Sequence, residues 1–295
     1  MIARAPGPAA DVSARVTRLL ADAGLGGRVE VLARLGSGQH HLTLKLRTDD
    51  GLLVARLPGQ AGHPPERLAA ELAMQQAAEA AGLTPARLWF DTRTGASLSR
   101  WMEGEPLTPE ALWHAETAAE AGALVRRLQA LPVTVSGPDP GLAARDYAAR
   151  LDADSGSRAR LNRLEVLAAA CCPDPAARRP AHGDLVAGNL LRTPGGLRLL
   201  DWEYAGLAHP WWDLASLVGL HALPLPAARA MLRAAGEAPG LMASTAFSRL
   251  VELVVLLAWA WAAAECRSRP SDTRPRRWLT RLEALLAARD AGPAD

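Results

Sequence analysis

Ala-His-Gly-Asp-Leu-Val-Ala-Gly-Asn-Leu-Leu-Arg-Thr-Pro-Gly-Gly-Leu-Arg-Leu-Leu-Asp-Trp-Glu-Tyr, residues 181–204, decides the reading of this chain. His182-Gly183-Asp184 is followed by Asn189, with four residues between Asp and Asn. Leu190-Leu191 is a short apolar stretch. Thr193-Pro194-Gly195-Gly196 is a turn, because Pro presets φ and Gly accepts φ > 0. A second apolar stretch, Leu197–Leu200, ends at Asp201. The order is loop, strand, tight turn, strand and carboxylate. A hairpin returns on itself, so Asp201 is expected beside Asp184 and Asn189.

Two carboxylates and an amide oxygen at one spot suit phosphoryl transfer. One carboxylate accepts the proton of an attacking hydroxyl, and hard oxygen ligands hold Mg²⁺ against phosphates. The spacing His-x-Asp-x-x-x-x-Asn, with a later Asp, is that of the kinase catalytic loop. Asp184 is then the base, and Asn189 and Asp201 are the metal ligands. A polar turn in an ordinary hairpin accounts for any one of these residues. It does not account for His182, Asp184, Asn189 and Asp201 in this order.

His-Gly-Asp-Leu-x-x-x-Asn-Leu-Leu, then Leu-Asp-Trp-Glu-Tyr-Ala-Gly, then His-Pro-Trp-Trp-Asp-Leu-Ala at 209–215, resembles the aminoglycoside phosphotransferase/choline kinase superfamily. Asp-Trp-Glu-Tyr-Ala-Gly is most similar to bacterial choline kinase-like and thiamine kinase-like proteins. The resemblance is carried by residues 181–215 and extends over 30–107. It implies ATP, Mg²⁺ and an α+β, protein-kinase-like fold of two lobes. The smaller N-terminal lobe, 1–104, would hold an antiparallel sheet and the nucleotide. The larger, mostly helical lobe, 105–295, would hold the catalytic loop and the acceptor. Asp213 resembles the superfamily Asp that hydrogen-bonds the catalytic loop, a structural role shared with His182.

The N-terminal part reads as one helix and several strands. Asp11 can cap a helix over 12–23, with residues 1–10 loose. Strands are expected at 28–35, 42–48 and 52–57, and the alternation in Leu42-Thr43-Leu44-Lys45-Leu46-Arg47 gives one apolar face. Between the first two strands, Gly36-Ser37-Gly38 lets backbone N–H groups approach phosphates closely, although such a loop also occurs in plain hairpins. Arg56 sits where protein kinases carry a phosphate-contacting Lys, and Arg here is similar to choline kinase-like members. A helix over 65–81 carries Arg67 and Glu71 on one face. Glu71 resembles the family's helix Glu that would pair with Arg56; an Arg67–Glu71 surface pair is the alternative. After strands at 86–91 and 96–102, Trp101-Met102-Glu103-Gly104 resembles the link between lobes, where backbone would contact adenine. Thr108 is read as the cap of a long helix to 130. Further helices are expected at 142–153, 157–171, 210–221, 226–236, 244–267 and 275–289.

Composition narrows the classes. Hydrophobic residues are 49% of the 295 and charged residues 22%, which favours a packed core over disorder. The net charge of +2 gives no support for a nucleic-acid partner. The three Cys show no metal spacing, and free thiols suit a reducing cytoplasm. The N-terminus has no apolar stretch of signal-peptide length. The apolar run 253–264 is shorter than the roughly 20 residues of a membrane span and reads as a core helix. A cytoplasmic protein without a membrane partner is expected.

The acceptors of the resembled group include choline, ethanolamine, thiamine, aminoglycosides and sugars. Nine Trp stand against two Phe and two Tyr, and Trp is the best ring for a cation. Glu203, Tyr204, Trp211, Trp259, Trp261 and Glu265 are the candidates for the acceptor side. Trp259 and Trp261 lie on different faces of one helix. Trp261 shares its face with Glu265, and Trp259 with Glu252. All of these Trp are equally suited to core positions. From residue 105 onward, 21 acidic and 21 basic residues balance, which does not favour a polycationic acceptor. The Arg cluster at 267, 269, 274, 276 and 277 reads as a solvated loop. The expectation is a kinase for an alcohol on a small cation, of choline, ethanolamine or thiamine type. The alternatives are an aminoglycoside or sugar phosphotransferase, or a non-catalytic nucleotide-binding protein of the same fold.

Overall fold

The computed structural model of the chain describes residues 8–37, 41–59, 63–151 and 154–290. Helix α1 (Pro8–Asp22) precedes three antiparallel strands, β1 (Val29–Ser37), β2 (His41–Thr48) and β3 (Gly51–Pro58). Helix α2 (Pro65–Ala80) leads to β4 (Arg87–Phe90) and β5 (Ser97–Arg100). These strands form one five-stranded sheet in the order β1-β2-β3-β5-β4. The period-2 pattern sorts its faces. Leu44, Leu46, Leu53, Ala55, Leu57 and Leu98 bury against Val16, Leu19 and Leu20 of α1. Register pairs Thr43 with Arg56, Arg56 with Ser97 and Val54 with Ser99, which puts these residues on the opposite face.

Helix α2 closes as a Schellman motif: the Leu83 N–H reaches Ala78 O at 2.8 Å and the Gly82 N–H reaches Glu79 O at 2.9 Å. Gly82 takes φ +66°, which glycine adopts without penalty. Met74, Ala78 and Leu83 leave the sheet and join the larger core of the C-terminal part.

That part is mostly helical. Strand β6 (Glu105–Pro106) pairs with the hairpin β8 (Leu190–Thr193) and β9 (Gly196–Leu199), and β7 (Arg179–Ala181) pairs with β10 (Gly206–Ala208). The helices are α3 (Ala115–Gln129), α4 (Pro140–Arg150), α5 (Ser155–Ala170), α6 (Trp212–His221), α7 (Leu225–Ala235), α8 (Thr245–Ser268) and α9 (Thr273–Asp290). By length and composition α8 could cross a membrane, but 56% of its apolar window is buried among α4, α5, α6 and α9. It is the central helix of this core. The architecture is the expected α+β, protein-kinase-like one.

Two elements differ from expectation. The helix from Thr108 is not continuous. A 3₁₀ turn, Glu110–Trp113, is followed by extended His114 (ψ 128°) before α3 begins. Trp113 Nε1 donates to His221 O at 3.0 Å, a tertiary bond that sets the turn apart from α3. Thr108 Oγ1 accepts the Ala111 N–H at 3.3 Å and so caps the turn rather than α3. Helix α1 begins at Pro8, so residues 8–10 are helical, and Asp11 is a first-turn acid favourable to the helix dipole rather than the cap.

Candidate active site

Four side chains hold the loop after β7. Asp213, in the first turn of α6, accepts the His182 N–H (2.7 Å) and the Gly183 N–H (3.1 Å). His182 is buried, and its Nε2 lies 2.8 Å from Leu200 O, so Nε2 carries the proton; burial lowers its pKa. Trp212 Nε1 donates to Gly183 O at 3.1 Å. Gly183 takes φ +82°, and a Cβ there would meet Tyr204 O at 2.1 Å, so only glycine fits. His221 Nε2 accepts the Ala187 N–H at 3.0 Å, beneath the turn that carries Asn189.

The hairpin does bring Asp201 back. Leu200 N–H bonds Asn189 O at 2.9 Å, and Asp201 follows with φ +62°, one of two non-glycine residues with positive φ among the described residues. That left-handed turn is tolerated better by Asp than by most side chains. Asn189 Nδ2 donates to Asp184 O (2.8 Å), which leaves its Oδ1 free of that contact. Asp184 is pushed up to about 7, by burial first and then by the neighbouring charges of Asp201, Glu203 and Asp213. Asp201 is also raised, by burial and then by Glu203. Two carboxylates that repel each other and an amide oxygen form a hard-oxygen donor set, and this fits Mg²⁺.

Arg56 comes from the cleft face of β3. Its Nη2 donates to Glu71 Oε2 at 2.8 Å and its Nη1 lies 3.9 Å from Asp201. Arg67 does not pair with Glu71; it donates to Glu203 O at 2.6 Å. Gly36 and Ser37 end β1 opposite Thr43 and Leu42. Gly38 lies outside the described residues.

Two cavities meet here. One, of about 530 Å³, is lined by Leu35, Val54, Arg56, Trp101, Met102, Asn189 and Asp201 among others. Glu103 is not in its wall: it accepts the Trp101 Nε1–H at 2.6 Å on the exposed side. The second, of about 400 Å³, is lined by Asp184, Tyr204, Trp212, Trp261, Glu265 and Trp278, with Tyr147 beside them. His41 and Glu203 are in the walls of both.

The expected acceptor residues divide. Tyr204, Trp261, Glu265 and Glu203 line the second cavity. Trp211 does not: its Nε1 donates to Glu237 (3.0 Å) and its ring packs edge-on against Phe247. Trp259 does not either. It is 2% exposed in the helical core, with Arg160 stacked 5.3 Å from its ring. Its face partner Glu252 is engaged by Arg163 at 2.6 Å. Of the Arg cluster, Arg267, Arg274, Arg276 and Arg277 are exposed as expected. Arg267, however, is in the last turn of α8 and the other three lie on α9 rather than in a loop, and Arg269 and Arg274 also stand in the cavity wall. Arg274 is paired with Asp272 at 3.0 Å.

The family model described as the phosphotransferase enzyme family matches residues 31–252. The chain belongs to this family. A choline/ethanolamine kinase family protein from Mesorhizobium loti shares the fold with a TM-score of 0.70, at 24% identity over 94% of each chain. Choline kinase LicA from Streptococcus pneumoniae does so with a TM-score of 0.73, at 17% identity over 94% of this chain and 99% of that one. The thiamine kinase of Escherichia coli strain UMN026 is 50% identical over 46 residues, which are 16% of this chain and 17% of that kinase. The chain therefore matches less than a fifth of that relative's length.

Within this phosphotransferase, several residues near the site gave no sequence signal. His41 and His63 both approach Glu203 Oε2, at 3.3 and 3.1 Å. Burial pushes Glu203 up, but these two imidazoles and Arg56 outweigh it and hold the carboxyl well below its ordinary range. His41 stood in the glycine-rich loop and His63 before α2, with nothing to connect them to position 203. Tyr147 and Trp278 were equally silent, since a solitary aromatic on a helix reads as core. Trp212 stands inside the quoted motif; only its side-chain direction was missing.

Proposed function

We propose that this phosphotransferase is an ATP- and Mg²⁺-dependent kinase acting on the alcohol group of a small cationic molecule of choline, ethanolamine or thiamine type. One juxtaposition carries the reading. Asp184 faces the aromatic cavity, Asn189 and Asp201 face the other cavity, and the two cavities share His41 and Glu203. The solved structure of the similar LicA holds AMP, and that of an aminoglycoside 2'-phosphotransferase holds GDP, which supports a nucleotide in the larger cavity. In this reading the lobes meet at Gly104. The base lies against the backbone of Trp101 and Met102, and the phosphates lie beneath the end of β1 at Gly36 and Ser37.

Each residue then has a task. Arg56, fixed by Glu71, binds phosphate oxygens. Asn189 and Asp201 would hold Mg²⁺, which when bound neutralises phosphate charge. Asp184 orients the acceptor hydroxyl and takes its proton. With its pKa pushed up to about 7 by burial and neighbouring carboxylates, it is matched to proton transfer at neutral pH. The catalysis is positioning plus charge stabilisation. Trp261, Trp212, Trp278 and Tyr147 line the cavity that would take a cation, with Glu265, held by Arg150 at 2.8 Å, in the same wall. A cavity of about 400 Å³ with Arg269 and Arg274 in its wall favours one small cation over a polycationic aminoglycoside.

The test is Mg²⁺-dependent ADP release with choline, ethanolamine, thiamine, an aminoglycoside and simple sugars. Stimulation by one small cation is expected. Asp184→Ala should lower it by about 10²–10⁴-fold while ATP still binds. Stimulation that survives in Asp184→Ala sinks the catalytic assignment, and stimulation by the aminoglycoside alone sinks the acceptor class.

A further inference from the structure

Arg87 on β4 is a buried guanidinium that the reading above leaves without a task. Its side chain is 5% exposed, and its Nη2 lies 3.4 Å from Glu71 Oε1. Its guanidinium stacks 4.3 Å from the Phe90 ring. Nε and Nη1 are buried and have no hydrogen-bond partner among the described residues. The neighbouring Glu79 carboxylate is bound to the Arg87 backbone N–H at 3.0 Å rather than to the guanidinium. Arg87 also lines the larger cavity.

The other oxygen of Glu71 belongs to Arg56, at 2.8 Å. One fully buried carboxylate therefore stands between two guanidiniums. A plain Arg–Glu pair has one guanidinium; here two share one carboxylate, with Asp201 3.9 Å from Arg56 and the Glu79 carboxylate beside Arg87. Removing one member of a buried ionic group leaves its partner's charge unpaired, which is costly. Burial pushes Arg87 down only to about 10, so it remains protonated at neutral pH. Both guanidiniums stand in the wall of the cavity that is read as the nucleotide site.

We propose that Arg87 is a nucleotide-affinity residue: it neutralises Glu71 and so leaves the charge of Arg56 available to the phosphates. The inference rests on the nucleotide reading of the larger cavity. It separates from a mere tie between α2 and β4, because a tie would support all ligands of the cavity alike, whereas a charge acts on the phosphates.

Titration calorimetry of the full chain with ATP–Mg²⁺ and with adenosine tests it, in wild type, Arg87→Met, Arg87→Gln and Arg87→Lys. Arg87→Met is expected to weaken ATP by about tenfold and adenosine by less than about twofold, as the loss of one nearby charge implies. Arg87→Gln keeps a donor for Glu71 without the charge and should show the same ATP-selective loss; it carries the test if Arg87→Met does not fold. Arg87→Lys should recover most of the ATP affinity. Equal losses for ATP and adenosine, or no loss for either, overturn the proposal. A wild type that binds neither ligand overturns the nucleotide reading, and this inference with it.

Discussion

Adjacent tryptophans part at the start of α6. Trp212 turns inward, bonds Gly183 O and lines the aromatic cavity, whereas Trp211 turns outward to Glu237 and Phe247. On α8, Trp261 faces the cavity with Glu265, and Trp259 faces the core. A desolvated cation–ring contact is worth about 2 kcal/mol. Trp261→Ala is therefore expected to raise the acceptor KM by about tenfold or more with a smaller change in kcat. Trp211→Ala should leave that KM within about twofold and lower the melting temperature. Steady-state kinetics on both variants decide the matter; equal KM effects would remove the assignment of the cavity. The composition announced nine Trp against two Phe and two Tyr but not these orientations, which depend on packing partners far away in sequence.

At the scale of elements, α3 and α7 are pressed together at Gly122. A Cβ there would lie 2.1 Å from Met231 O, a backbone atom that cannot step aside. Alanine gains about 1 kcal/mol of helix propensity over glycine. Overpacking costs about 1–3 kcal/mol and here meets backbone, so it wins. Gly122→Ala should lower the denaturant midpoint, and an unchanged or higher midpoint would refute that close approach. Helix α6 carries a second prediction. His221 accepts the Ala187 N–H through Nε2, so it is neutral in the fold, and burial with the nearby Arg281 lowers its pKa from 6.5 to about 4. The unfolded chain therefore binds the proton first. The contribution of His221 is complete above about pH 6.5 and is lost as the pH falls toward 4, by up to about 3 kcal/mol. His221→Asn, whose amide oxygen can still accept a hydrogen bond, should flatten the fall in stability between pH 6.5 and 4 that chemical denaturation reads in wild type.

At the scale of the molecule, binding is linked to stability. A ligand at 100 times its Kd stabilises the fold by about 2.7 kcal/mol. ATP with Mg²⁺ should raise the melting temperature of wild type more than ATP with a chelator does. Asp201→Ala should erase that difference; a persistent difference would mean that Asp201 does not hold the metal.

The sequence by itself determined the hairpin after His182 and the face of β3 that carries Arg56. In the hairpin, four residues of strand, a Pro-Gly-Gly turn and four residues of return close a short covalent loop, so Asp201 has to return beside Asn189. In β2 and β3, period-2 alternation sends Leu to α1 and Arg56 to the cleft. Only the tertiary structure decided the rest: the two histidines on Glu203, the second guanidinium on Glu71, the break at His114 and the face of α8 that looks into the aromatic cavity. Those contacts join residues many positions apart, and the spacing along a chain carries no record of which distant element will pack against a given face.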